Sequence, residues 1–243
     1  VNPKLLLDLP AIPGPRHNGG ALVIGPDNNL YIPVGDVDGT YQGEESETLT
    51  QNFAEGVDPD GRSGILRITQ DGNPVPNGDI IGDEFPLNLY YAYGIRNSFG
   101  IDFDPVTGNL WDTENGPGEG DEINLVEPGF NSGWAQVQGM STSSADNNDQ
   151  DFTPVGLVDF DGRGTYSDPE FEWTVTLGPT AVKFLNSDKL GAEYANDMFV
   201  GDIIMGNLYH FELNENRDAL ALNGSLSDKV ADGYEELDQV IFA

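Results

Sequence analysis

Apolar and polar positions along the 243 residues alternate in short bursts and seldom recur at the spacing of an amphipathic helix. The bursts are β-rich and are closed by Gly, Asn, Asp and Pro, with 31 glycines and 16 prolines in the chain. This is an all-β pattern, and the opening run "LLLDLP" already reads as a strand. Three segments share one theme of strand, Asp/Asn/Gly turn and strand: "LVIGPDNNLYIPVGD", "GIDFDPVTGNLWDTENG" and "AVKFLNSDKLGAEYANDMFVGD". Each is followed by a further strand and turn, in "GILRITQDGNPVP", "DEINLVEPGFNSGW" and "GNLYHFELNENRDAL". The theme returns at intervals of roughly 80 residues. A repeated strand–turn–strand unit predicts β-propeller blades, in which radial packing covers the sheet faces. A β-sandwich is the rival, but it does not require the repeated phrase. Two polar stretches, Val37 to Ser63 and Gln138 to Glu170, read as inserted loops, mostly solvated, of the kind that shapes a propeller's binding face.

Charge narrows the function classes. Ten Lys and Arg stand against 42 Asp and Glu, a formal charge of −32 and a pI near 4.1. Such a field repels nucleic acid and anionic headgroups and attracts divalent cations. It also serves solubility in salty water. With no cysteine there is neither a disulfide framework nor a thiolate metal site. The longest apolar run near the start, "LLLDLP", is too short and interrupted to span a bilayer or to act as the apolar region of a signal peptide.

Against that acidity, "GPRHNGG" places Arg16 beside His17, one of only two histidines, at a loop-to-strand junction. If the strands flanking "PDNN" pair as a hairpin, Asp36 returns to the same end of the sheet as His17. A carboxylate there fixes the imidazole tautomer and raises its basicity, as a general base needs. The bland alternative is a hydrogen-bonded structural histidine. His210, inside the alternating run "NLYHFELN", reads as a strand-face residue. In "YAYGIRNSFGIDFDP", Arg96 and Asn97 sit between Gly94 and Gly100 among aromatics, presenting a guanidinium and an amide for oxyanions or conjugated rings; a purely structural arginine is the alternative. In "TENGPGEGDEINLVEPGFNSGW", glycine and proline alternate with Glu119, Asp121 and Glu122, exposing carbonyls beside carboxylates. Hard cations prefer such oxygens, and Ca²⁺ tolerates their irregular geometry. No stretch has EF-hand spacing, and nucleophile-elbow, zincin, P-loop and dinucleotide signatures are missing.

Taken jointly, "RHNGGALVIGPDNNLYIPVGD", "GILRITQDGNPVP", "YAYGIRNSFGIDFDPVTGNLW" and "ENGPGEGDEINLVEPGFNSGW" resemble, in order, the soluble glucose/sorbosone dehydrogenases, quinoproteins with six-bladed propellers. The resemblance runs through nearly the whole chain and is densest from Arg16 to Trp134. It implies oxidation of the anomeric hydroxyl of an aldose, using pyrroloquinoline quinone (PQQ) and Ca²⁺. On this resemblance His17 matches the general base and Asp36 the carboxylate that orients it. Arg96 and Asn97 match the pair beside the reactive quinone oxygens. Gly116 and Pro117 match the loop whose backbone carbonyls hold the cofactor calcium, with Asp121 nearby and Glu122 grouped with it as a metal-site residue. The expectation is that these groups meet around one cavity, with Arg16 as a rim charge.

Two departures stand beside the match. Sugar-oxidising members carry a lysine for a cofactor carboxylate at the strand end that here reads "VGDIIMG", where the equivalent is Ile204. Arginines that complete the cofactor site belong to a later blade. Residues 1–243 are therefore expected to form a single partial propeller domain of roughly three to four blades, truncated at both ends relative to the family. Missing segments or another chain would close the ring. The resemblance and the acidity imply an extracellular, periplasmic or cell-surface protein with a small sugar as its partner, no nucleic acid and no membrane span. The alternative function is a non-catalytic, Ca²⁺-stabilised extracellular propeller serving as a binding or structural module.

Overall fold

A computed structural model describes residues 2–12, 14–37, 50–52, 58–141 and 156–243. Its strands are β1 (Val23–Ile24), β2 (Leu30–Val34), β3 (Gly64–Ile68), β4 (Tyr90–Tyr93), β5 (Ser98–Phe103), β6 (Leu110–Glu114), β7 (Asp121–Val126), β8 (Phe130–Asn131), β9 (Thr165–Tyr166), β10 (Phe171–Trp173), β11 (Pro179–Phe184), β12 (Met198–Asp202), β13 (Leu208–Phe211) and β14 (Val230–Ala231). Among the described residues helix is confined to short 3₁₀ turns, in keeping with the lack of helical periodicity. Each of the three repeated phrases is a strand pair: β1–β2, β5–β6 and β11–β12. The strand that follows each phrase (β3, β7, β13) joins the same sheet antiparallel to its predecessor.

The chain divides into two compact units. The first comprises Val1–Ser98, Glu127–Gln136 and Val155–Ser167. Its sheet runs β1-β2-β3-β4-β8-β9, an antiparallel meander extended by two short parallel strands. Inward positions of β2, β3 and β4 bury Val34, Leu66, Ile68, Tyr90 and Tyr93. The opening "LLLDLP" is not a strand; it packs as an irregular segment whose Leu6, Leu7 and Leu9 cover that core.

The second unit comprises Phe99–Val126, Val137–Pro154 and Asp168–Ala243. It contains the sheet β14-β10-β7-β6-β5 and the sheet β11-β12-β13. Trp111, Ile123, Phe171 and Trp173 of one pack against Val182, Met198, Val200, Tyr209 and Phe211 of the other. Phe171 and Phe211 meet edge to face at 5.1 Å, the arrangement favoured by ring quadrupoles. Gly100 permits the approach, since a Cβ there would lie 2.2 Å from the Thr180 carbonyl oxygen. The C-terminal residues line the free edge of β13: Leu208 N–H donates to the Ala243 carbonyl over 2.7 Å, and His210 N–H to the Val240 carbonyl over 2.8 Å.

The loops expected to be solvated are only partly so. Thr50, Gln51 and Asn52 are buried. Gln51 donates to the Arg62 carbonyl and accepts from Gly94 N–H, and Asn52 pairs reciprocally with Asn131 over 2.8 and 3.0 Å. These amides satisfy backbone groups of turns that carry no ladder bonds. Residues 38–49 and 53–57 of the first loop and 142–155 of the second lie outside the described residues.

Candidate active site

The "PDNN" turn closes as the sequence predicts, pairing Val23 with Tyr31 and Ile24 with Leu30. That brings His17 and Asp36 together: His17 Nδ1 lies 2.7 Å from Asp36 Oδ1. With an ionised carboxylate and a neutral imidazole, Nδ1 is the donor and the lone pair lies on Nε2. Asp36 is buried, and 9% of the His17 side chain is exposed. The backbone is strained here. His17 has φ +56° and Val37, a β-branched residue, φ +55°, left-handed values that such side chains rarely adopt. Gly35 lets the two segments touch, because a Cβ on it would sit 2.4 Å from the Arg96 carbonyl oxygen and 2.8 Å from His17 Cβ. Asp36 N–H donates to that same Arg96 carbonyl over 3.0 Å.

Arg96 and Asn97 follow the left-handed Gly94 (φ +68°) and precede β5. Arg96 is buried, with its guanidinium carbon 5.3 Å from the centre of the Trp134 ring. Trp134 in turn donates its indole N–H to Asp36 Oδ2 over 2.9 Å. The first unit thus joins His17, Asp36, Trp134 and Arg96 in one contiguous group. Arg16 is exposed, consistent with a rim position.

The acidic turn belongs to the second unit, between β6 and β7. Gly116 is required there, since a Cβ would fall 1.8 Å from the Glu119 carbonyl oxygen. Asp121 organises the turn: Oδ1 accepts Gly116 N–H over 2.8 Å, and Oδ2 accepts Leu177 and Gly178 N–H over 2.6 and 2.8 Å. Glu122 is buried between two other buried glutamates, with Glu114 opposite on β6 and Glu172 opposite on β10. Its Oε1 accepts from Gly139 N–H and Gln138 Nε2, and its Oε2 from Asn124 Nδ2. Burial, followed by the charge of Glu114, pushes its carboxyl well above the usual range despite those donors. Among the described residues no group of three or more His, Cys, Asp or Glu side chains is arranged to hold a metal ion.

Ile204 caps the β12–β13 hairpin between Ile203 and Met205, all three exposed. Asp202 fixes that tip by accepting Met205, Gly206 and Asn207 N–H. His210 lies on β13 with Nε2 2.8 Å from Asp197 Oδ2, on the strand face the sequence predicts.

Sequence reasoning missed three features: the Trp134 link, the Gln51–Asn52 brace and the glutamate row. The "NSGW" phrase marks a turn but carries no sign that its indole reaches a carboxylate 98 positions earlier. The row is visible only once β6, β7 and β10 are in register.

The blade-like antiparallel meanders place the chain in the β-propeller fold class of its solved neighbours. The sequence profile of the glucose/sorbosone dehydrogenase family matches residues 3–232, and the chain belongs to that family. Quinoprotein glucose dehydrogenase B of Acinetobacter calcoaceticus is 36% identical over 149 residues, covering 58% of this chain and 30% of that protein. A solved glucose dehydrogenase of Thermus thermophilus is 28% identical with a TM-score of 0.61, covering 89% of this chain and 56% of that one. The PQQ-bound aldose sugar dehydrogenase of Streptomyces coelicolor shares the fold, with 24% identity, a TM-score of 0.57 and coverage of 86% and 48%. The chain therefore spans about half the length of these solved relatives.

Proposed function

We propose that this chain carries the base and part of the cofactor site of a PQQ-dependent dehydrogenase that oxidises the anomeric hydroxyl of an aldose. The observation that carries the reading is the His17–Asp36 pair, held at 2.7 Å on strained backbone. Strain of this kind persists where the surrounding structure over-determines it, and it clusters at working sites. The quinoprotein name of the Acinetobacter relative supports the choice of cofactor.

Within the first unit, the buried Arg96 guanidinium beside the His17–Asp36 pair suits an anionic quinone, and within the second the carbonyl-rich acidic turn suits a hard cation. Arg96 and Asn97 would face the quinone oxygens. The Gly116 and Pro117 carbonyls would hold Ca²⁺, with Asp121 and Glu122 beside them. Because both oxygens of Asp121 already accept backbone N–H groups, its part is to fix the loop. When bound, PQQ supplies a carbonyl carbon that accepts a hydride. His17 Nε2 takes the proton of the anomeric hydroxyl as the anomeric C–H hydride departs, leaving the lactone and an imidazolium. Asp36 stabilises that imidazolium and holds the ring. The Arg96 guanidinium offsets negative charge developing beside it. The localisation consistent with this reading is outside the cytoplasm. Among the described residues no helix is long and apolar enough to cross a membrane.

One observation favours a second reading, a non-catalytic Ca²⁺-stabilised module: the apolar, 58% exposed Ile204 at the hairpin tip offers no charge to a cofactor carboxylate. Reconstitution separates the two. The purified protein is titrated with PQQ and Ca²⁺, and dye reduction is followed with several aldoses. Sugar-dependent reduction that drops by about 10²–10⁴-fold in His17→Ala, with PQQ affinity retained, supports the enzyme. Calcium binding with neither PQQ binding nor turnover supports the module.

A further inference from the structure

We propose that Trp134 is a positioning residue for the His17–Asp36 pair, acting on Asp36 through its indole N–H and on Arg96 through its ring; the role rests on reading His17 as the base. Asp36 is gripped at both oxygens, Oδ1 by His17 Nδ1 at 2.7 Å and Oδ2 by Trp134 Nε1 at 2.9 Å. A carboxylate held at one oxygen can swing about its Cβ–Cγ bond, whereas one held at both cannot. The imidazole plane and tautomer follow from that constraint.

The backbone that carries the indole is itself fixed. The Trp134 backbone N–H donates to the Gly94 carbonyl over 3.1 Å, and the Trp134 backbone carbonyl accepts Asn52 Nδ2 over 2.9 Å. Asn52 and its partner Asn131 thus reach the base through one side chain. The chain's other tryptophans differ: Trp111 and Trp173 bury their Nε1 with no hydrogen-bond partner among the described residues. At position 134 the N–H is used, and the acceptor is the carboxylate behind the base. The charged groups facing the indole are Asp36 on one side and the Arg96 guanidinium, 5.3 Å from the ring centre, on the other. A neutral donor suits this place because it fixes the carboxylate without cancelling its charge.

The test removes the N–H and keeps the ring. Trp134 is replaced site-specifically by β-(3-benzothienyl)alanine, in which sulfur stands for N–H, and separately by Trp134→Phe. Histidine ¹⁵N NMR is recorded on the protein without cofactor or sugar, with His17 assigned by comparison with His210→Gln. Circular dichroism confirms the fold of each variant. The expected result is exchange of the His17 Nδ1–H with water about tenfold faster, appearance of the Nε2–H tautomer, and kcat about tenfold lower at little-changed KM. An unaltered Nδ1–H signal in the folded benzothienyl variant would overturn the proposal, whatever the enzyme's activity. Altered NMR in a protein whose wild type never turns over would uphold the positioning role and remove only the reading of His17 as a base.

Discussion

Asp121 and Gly116 close the acidic turn on itself, with the Gly116 N–H donating to Asp121 Oδ1 over 2.8 Å while the other carboxylate oxygen holds Leu177 and Gly178. One acceptor-only side chain thus satisfies three backbone donors in a segment without ladder bonds. Asp121→Asn presents an NH₂ group to at least one of those donors and removes the charge from the remaining bonds. The variant should lose about 3 kcal/mol of stability and, if the turn holds Ca²⁺ as proposed, bind it more weakly. Urea unfolding and calcium titration calorimetry read the two effects separately.

Glu122 gives a pH dependence whose sign follows from its surroundings. Burial and then the charge of Glu114 raise its folded-state pKa well above the ordinary 4.5, so the folded protein retains a proton that the unfolded chain has released. Stability from this group is full below the unfolded value and falls as pH rises from there to the folded value. Glu122→Gln removes that loss. The variant should match the wild type near about pH 4 and exceed it around neutrality, as measured by urea midpoints across the range. Asn124 Oδ1, buried and without a partner among the described residues, can receive the new amide after a flip of Asn124. A wild type that is the more stable of the two at neutral pH would show that Glu122 is ionised in the fold.

Gly35 separates site geometry from global stability. Its missing Cβ is the space in which the Arg96 carbonyl and His17 Cβ approach β2, at 2.4 and 2.8 Å from where that atom would stand. Gly35→Ala should cost about 1–3 kcal/mol and push His17 away from Asp36. Turnover should then fall far more than the unfolding midpoint does. Thermal unfolding compared with kcat in reconstituted protein tests this, and parallel losses would place the strain elsewhere.

The hairpin joining His17 to Asp36 was legible because local turn chemistry in "PDNN" and period-2 alternation fix its register. The acidic turn was legible for a similar reason, since its glycines and Asp121 act within a few residues of one another. The glutamate row was not legible: Glu114, Glu122 and Glu172 lie far apart in the chain, and only the register of β6, β7 and β10 brings them side by side. Gln51 and Asn52 hid in the same way, as polar residues in a polar loop that are buried because distant turns need their amides. Burial of polar groups is a tertiary property, so composition misreads it most often at the places that brace a site.

Ile204 is where sequence and proposed chemistry pull apart, and a single charge tests the tension. The hairpin tip is pinned by Asp202 through three backbone N–H groups, so a new side chain at the exposed position 204 inherits a defined direction without disturbing the core. Ile204→Lys should leave the unfolding midpoint within error, since exposed substitutions away from packed features change little. If the tip faces the cofactor, the ammonium should tighten PQQ binding by about fivefold at low salt, the upper range for a partly exposed ion pair, and the gain should fade as salt screens it. Fluorescence titration of PQQ at two ionic strengths reads both effects. Unchanged affinity at both would mean that this hairpin does not meet a cofactor carboxylate, and that the charge lost at Ile204 has no bearing on whether the site is loaded.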